Sequence, residues 1–234
     1  MCIRDRCRWG RRAARPERSP ARALAAPPLP ADTADASSSA VPEENGMLHG
    51  IDVSSHNSDQ YALQGLDFVF VKVTEGTSYT NPKWVTQRDR ARRAGLVVGY
   101  YHYVTPGSMS AQGNYFLGKI ALRAGDVLAL DWEHPDVWCR DKDRWLAHVK
   151  AKAPGHRVVL YCNRDYWLNR DTTSDAGDGL WIADPDHAAG RPAVQHPWTF
   201  HQYSWAGGLD RNVARFTDRA GLRAWAGAPR EADA

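Results

Sequence analysis

The sequence predicts an α/β chain folded as an irregular (β/α) barrel, TIM-like in its first half and missing helices in its second. Short β-branched and aromatic runs alternate with amphipathic stretches of helical length, the pattern of a mainly parallel sheet. About eight such runs follow residue 47, enough to close a barrel, yet that part of the chain is shorter than the ~250 residues of a full one. The helices fade after residue 163, so the missing length belongs to the second half.

The elements follow in order. LHGIDVSS is a short strand carrying Asp52, and DFVFVKVTEG a second strand. NPKWVTQRDRARRAG is a helix with Asn81 as N-cap, Pro82 at the first helical position and Gly95 beyond its end. LVVGYYHYV is the third strand, MSAQGNYFLGKIALRAG a helix, and VLALDWE the fourth strand. DKDRWLAHVKAKAPG places Trp145, Leu146, Val149 and Ala153 along one face and stops at Pro154-Gly155. RVVLYCN, LWIAD, WTFHQYSW and NVARF are strands five to eight, and TDRAGLRAWAG is a closing helix capped by Thr217.

Three segments follow from composition. Residues 1–46 are rich in Arg, Ala, Pro and Ser without hydrophobic period and are expected to be disordered; 47–227 form the barrel; 228–234 are a disordered tail. The first 22 residues carry eight Arg against Asp5 and Glu17, so the net charge of +3 hides a body that is slightly acidic. A nucleic-acid footprint on the body is therefore not expected. No stretch reaches the ~18 apolar residues of a membrane span, and ARALAAPPLP is too short and too broken by Pro for a secretory signal core. The four Cys match no zinc spacing; Cys139 and Cys162 are either one disulfide or two separate buried thiols. Ten Trp and nine Tyr suit a core or an aromatic-lined sugar groove.

In a parallel barrel the working residues sit at the C-terminal ends of the strands. Asp52, Glu75, Tyr101 with Tyr103, Asp131 with Glu133, Asn163, Asp184, Gln202 and Asp210 all fall at or beside such ends. Any one strand-end Asp or Asn is ordinarily a turn cap; together they describe one acidic, aromatic rim. The sharpest element is VLALDWEHPD. On a strand, Asp131 and Glu133 point to one side and Trp132 to the other, so two carboxyls sit side by side at the end of a buried run. Such a pair cannot both ionise cheaply, and a carboxyl that keeps its proton near neutral pH can protonate a glycosidic oxygen. An ion pair with Lys72, at an inward position of the second strand, or a hard-cation site are the alternatives.

The segments GIDVSSHN, FVFVKVTEGTSYTNP, GYYHYV, LALDWE, VVLYCNRDYW, LWIADPD and FHQYSW come in the order and at about the spacings of glycoside hydrolase family 25, the Chalaropsis-type lysozymes. The chain resembles that family over roughly residues 48–226. The resemblance implies a secreted, bacteriolytic N-acetylmuramidase acting on bacterial peptidoglycan, extracellular or at the cell wall. It implies no cofactor, resident metal, nucleic acid or membrane, and a monomer. It makes Glu133 the general acid and Asp131 its partner, with Asp52 and Asp210 as further cleft acids. Tyr101, Gln202 and Tyr203 match segments near substrate, and Tyr103, Lys72, Glu75 and Trp181 join them as substrate-binding candidates. Trp205 is a further stacking candidate. Trp132 stands where the family carries a small or aliphatic residue and is expected on the outer face, and the turn before Asp210 is shorter than usual. The 2-acetamido sugars of peptidoglycan suit a route in which the acetamido oxygen attacks the anomeric carbon; the competing route uses Asp52 or Asp210 as base for water, with inversion. A catalytically silent wall-binding domain and a chitinase-like hydrolase are the rival functions.

Overall fold

The structure, a computed structural model, describes residues 46–227. The expectations for residues 1–45 and for the tail 228–234 lie outside the described residues. Nine strands form one sheet: β1 (Leu48–Val53), β2 (Phe68–Glu75), β3 (Tyr79–Thr80), β4 (Val97–Tyr103), β5 (Val127–Asp131), β6 (Arg157–Asn163), β7 (Leu180–Ala183), β8 (Phe200–Ser204) and β9 (Asp210–Ala214). The two-residue β3 is an antiparallel appendage of β2. The other eight run β1-β9-β8-β7-β6-β5-β4-β2 and close on themselves through β1–β2 pairing. All are parallel except β9, which is antiparallel to both β8 and β1. The eight-stranded barrel expected from the sequence is present.

Period-two alternation sorts the strand residues onto two faces. Phe68 and Phe70, Val97 and Tyr101, Val127 and Ala129, Val159 and Tyr161, Trp181 and Ala183, Phe200 and Ala214 share the apolar cluster of the lumen. Ile51, Val69, Val98, Leu128, Leu130, Leu160, Leu180 and Ile182 join the other cluster, with residues of the covering helices and loops. The lumen is a packed core: Phe70 stacks on Trp181 at 4.2 Å between centroids, and Phe68 and Phe70 both meet Phe200. Gly50 and Gly99 make room, since a Cβ on either would collide with the ring of Phe68 or Phe70.

Among the described residues, three helices follow strands of the first half and one more closes the chain. They are α1 (Trp84–Arg93), α2 (Met109–Leu117) and α3 (Cys139–Lys152), with α4 (Arg219–Trp225) closing the chain. Between β6 and β7 a π-helical turn, Tyr166–Arg170, replaces a full helix; between β8 and β9 only a 3₁₀ turn, Ala206–Gly208, intervenes. Leu222 and Ala226 join the lumen cluster, and Arg219 and Arg223 donate to the carbonyl oxygen of Gly95, just before β4. Thus α4 plugs the end of the barrel where the parallel strands begin, leaving the opposite mouth for chemistry. Two expected caps move. Asn81 lies before the helix proper, accepting from the backbone N–H of Lys83, while Asp218 rather than Thr217 caps α4 by accepting from Gly221.

Candidate active site

Strand direction gathers the acids at one mouth. Asp52 lies near the C-terminal end of β1, and Asp131 ends β5 with Glu133 two residues beyond. Because β9 runs the other way, its first residue, Asp210, stands directly opposite Asp52 in the ladder. Asp52 and Asp131 are buried, whereas Glu133 and Asp210 are half-buried. Trp132 takes the outer face as expected. It is fully buried, donates its indole N–H to the Val137 carbonyl, and lies under the Lys142 ammonium.

Glu75 reaches the mouth by a route that alternation alone does not provide. Strict period two would turn it away from Lys72, but β2 shifts register against β4 between Lys72 and Thr74. This bulge rotates the strand end, so Glu75 returns to the side of Lys72 and their side chains pair at 2.9 Å. The buried Lys72 ammonium also lies 4.7 Å above the Tyr103 ring.

The mouth is acidic, and burial shapes its titration. Asp52 is raised well above the ordinary carboxylate range, first by burial and then by Asp210, with Asn212 and Gln202 opposing. Asp131 is raised well above it by burial and by Glu133, against the pull of Lys72. Burial pushes Glu133 up to about 7; Lys72 pulls against this, and Asp210 pushes with it. One oxygen of Asp131, Oδ1, is buried without a hydrogen-bond partner among the described residues.

Beneath the acids runs a chain of neutral donors. The Tyr161 hydroxyl donates to Gln202 Oε1 at 2.9 Å, and Gln202 Nε2 donates to Asp52 Oδ2 at 2.8 Å. Asn212 Nδ2 donates to the same oxygen at 2.8 Å, and Asn212 Oδ1 accepts from the Trp181 indole at 2.7 Å. Sequence reading missed Tyr161 and Asn212. Both are inward positions of their strands, Tyr161 facing Asp131 across the β5–β6 ladder and Asn212 two residues from Asp210. Listing inward residues one layer below the strand ends would have found them.

Other candidates are placed differently. Tyr101 and Trp181 are buried in the lumen, 6.1 Å apart and edge to face, and the Trp181 indole N–H donates to Asn212. Tyr203 is half-buried at a register shift in β8, its ring 6.3 Å from that of His201. Asp184 pairs with Arg164 at 3.1 Å and with His187 at 2.9 Å, and Asn163 accepts from Tyr166 N–H; both serve as structural anchors. Trp205, 50% exposed on the β8–β9 connection, and Trp138, 61% exposed beyond β5 with the Arg170 guanidinium 5.9 Å from its ring centre, present indole surface to solvent. Trp138 was not anticipated. Cys139 and Cys162 are separate buried thiols, and Cys139 hydrogen-bonds Asp171.

Comparison with known proteins agrees with this arrangement. Over 197 residues the chain is 28% identical to Lysozyme M1 of Streptomyces globisporus, covering 71% of this chain and 65% of that protein, so it spans just under two thirds of that relative's length. It is 30% identical to the N,O-diacetylmuramidase of a Chalaropsis species over 152 residues, 55% of this chain and 72% of that one. Among solved structures it superposes on a muramidase from Acremonium alcalophilum with a TM-score of 0.60 and 25% identity, covering 77% of this chain and 99% of the other. A family 25 glycosyl hydrolase from Bacillus anthracis shares the fold at a TM-score of 0.65 and 19% identity, covering 76% and 93%. The family model for glycosyl hydrolases family 25 matches residues 51–210, from the residue before Asp52 to Asp210 itself, so that all four acids fall within it. With the acids, the barrel that carries them and the matched segment coinciding, the chain belongs to glycosyl hydrolases family 25.

Proposed function

We propose that this chain is a lysozyme, an N-acetylmuramidase that hydrolyses the β-1,4 bond between N-acetylmuramic acid and N-acetylglucosamine in bacterial peptidoglycan. We place it outside the cell or at the wall, where that polymer lies, working as a monomer without cofactor. The observation that carries the reading is the Asp131–Glu133 pair. Burial holds Glu133 at about 7, so it keeps a proton near neutral pH in a mouth that also holds Asp52 and Asp210. A general acid matched to its working pH is what glycosidic cleavage requires.

In the route we favour, the substrate's acetamido oxygen forms a bond to the anomeric carbon while the glycosidic C–O bond breaks. The proton of Glu133 goes to the leaving oxygen. Asp131, whose Oδ1 is otherwise unpartnered, accepts the acetamido N–H and stabilises the positive charge that develops on the group. Water then attacks the anomeric carbon, giving its proton to the Glu133 carboxylate and restoring the acetamido group with net retention. The alternative, inversion with Asp52 or Asp210 as base, needs carboxyls ~6.5–9.5 Å apart. The anomer formed first distinguishes the two. Trp138 and Trp205, on connections that follow strands β5 and β8 of the barrel, offer stacking faces for a glycan lying across the mouth.

Digestion of purified cell wall beside chitin tests the function. New reducing ends from wall alone are expected. Activity on chitin would favour a chitinase-like enzyme, and wall binding without product a silent binding domain; either would overturn the proposal.

A further inference from the structure

Trp181 is buried, yet its indole nitrogen is used. An indole N–H can only donate, so the Asn212 atom facing it at 2.7 Å must be the oxygen. That settles the orientation of the amide. The other atom of Asn212, facing Asp52 Oδ2 at 2.8 Å, must be the nitrogen. The Asp210 carbonyl also accepts from that nitrogen, at 3.3 Å, so indole and carbonyl hold the amide between them, and without Trp181 its oxygen loses the donor that anchors it. The ring itself is held by stacking on Phe70 and by the edge of Tyr161 at 4.6 Å.

We infer that Trp181 is a positioning residue for Asp52: by anchoring the oxygen of Asn212, whose nitrogen also meets the Asp210 carbonyl, it keeps an N–H donor on the buried carboxyl beside the one Gln202 supplies. The inference rests on the proposed reading of the mouth as the acid cluster of a muramidase, of which Asp52 is one of the four acids. Asp52 needs such help. Asp210 faces it from β9 and Glu133 from beyond β5, both of which disfavour its charge. Asp131 on β5 and Tyr161 on β6 also sense it, and the cation of β2, Lys72, acts on Asp131 and Glu133. The two amides on Oδ2 are the groups that favour its ionised form.

The variant Trp181→Phe keeps a ring on Phe70 and removes the N–H together with part of the indole's volume. The titration midpoint of Asp52 is then expected to rise by about one pH unit, a tenfold change in proton affinity, because one donor is weakened or lost. Carboxyl carbon NMR of the full chain with labelled aspartate reads that midpoint without substrate, Asp52 being assigned by its disappearance in Asp52→Asn. Asn212→Leu, of similar size, is expected to shift it in the same direction, and Trp181→Phe added to Asn212→Leu to shift it no further. An unchanged midpoint in folded Trp181→Phe, or additive shifts in the double variant, would overturn the inference. Should Trp181→Phe fail to fold, the Asn212→Leu midpoint decides: a rise supports the assignment and no change refutes it. Failure of the muramidase reading shows itself separately, as a parent chain that releases no reducing ends from wall.

Discussion

Two charge clusters of this barrel are built on opposite principles. Behind α3, the ammonium of the fully buried Lys142 sits among Asp171 Oδ1 at 2.6 Å, Asp143 Oδ1 at 2.8 Å, the Asp175 carbonyl at 2.6 Å and the Thr173 hydroxyl at 3.2 Å. Burial disfavours its charge, but Asp143 and Asp171 outweigh burial and raise its pKa; Asp171, in turn, is lowered against burial by Lys142. Each partner holds the other in its charged form. Cys139, Asp143 and Asp171 bring ligand atoms within 4.8 Å of one another, as a metal site would, but a lysine already serves as their cation. At the mouth, Asp52, Asp131 and Glu133 are all raised, with Lys72 opposing the rise of Asp131 and Glu133. Compensated charge fixes structure; uncompensated charge leaves a proton available for chemistry.

The contrast breaks most sharply at its two central residues. Glu133→Gln removes the proton donor without changing shape, and wall hydrolysis is expected to fall by about 10³-fold or more, from the usual worth of a positioned general acid. Near-parental release of reducing ends would place the acid elsewhere. Lys142→Met should do the reverse. It strands Asp171 and Asp143, so thermal denaturation should show a loss of about 3 kcal/mol, roughly 6–12 °C in Tm for a domain of this size. Wall hydrolysis by the folded variant at 25 °C should stay at the parental rate. A loss of activity without loss of stability would mean that the cluster behind α3 belongs to the site.

How much of this was readable beforehand depended on whether one residue's neighbours in sequence were also its neighbours in space. The direction of Asp131, Trp132 and Glu133 follows from alternation that continues from the end of β5 through the two residues beyond it. Glu75 was identified as a rim residue, but its side chain reaches Lys72 through a bulge that no residue type announces. Asp210 and Asn212 owe their places to the reversed direction of β9, a tertiary choice that NVARF does not encode locally. Trp181 is a substrate-binding candidate by its place near a strand end, and aromatic content alone does not distinguish lumen from groove; the small Gly50 and Gly99 that let Phe68 and Phe70 fill the barrel are the local signal that the lumen is packed. The α4 cap slipped by one residue because Thr217 and Asp218 are both good caps and stand side by side.

The smallest expected effect separates the two clusters by the sign of their pH dependence. Asp171 is depressed in the folded state, so its contribution to stability is present above the unfolded carboxylate value and is lost as pH falls through the folded one. Glu133 is raised from 4.5 to about 7, so the folded protein binds its proton more tightly than the unfolded chain does. Its contribution is complete below 4.5 and disappears as pH rises through about 7. Glu133→Gln abolishes that loss. Relative to the parent, the variant should therefore gain about 1–2 kcal/mol between pH 4.5 and pH 8, less than the full shift implies because Glu133 is half-buried and screened. In Tm the gain corresponds to roughly 2–8 °C. Melting curves of both proteins across that range measure it. A Tm difference that stays flat with pH would mean that Glu133 is not held protonated by the fold, and the distinction between the two clusters would fail at the residue on which it depends most.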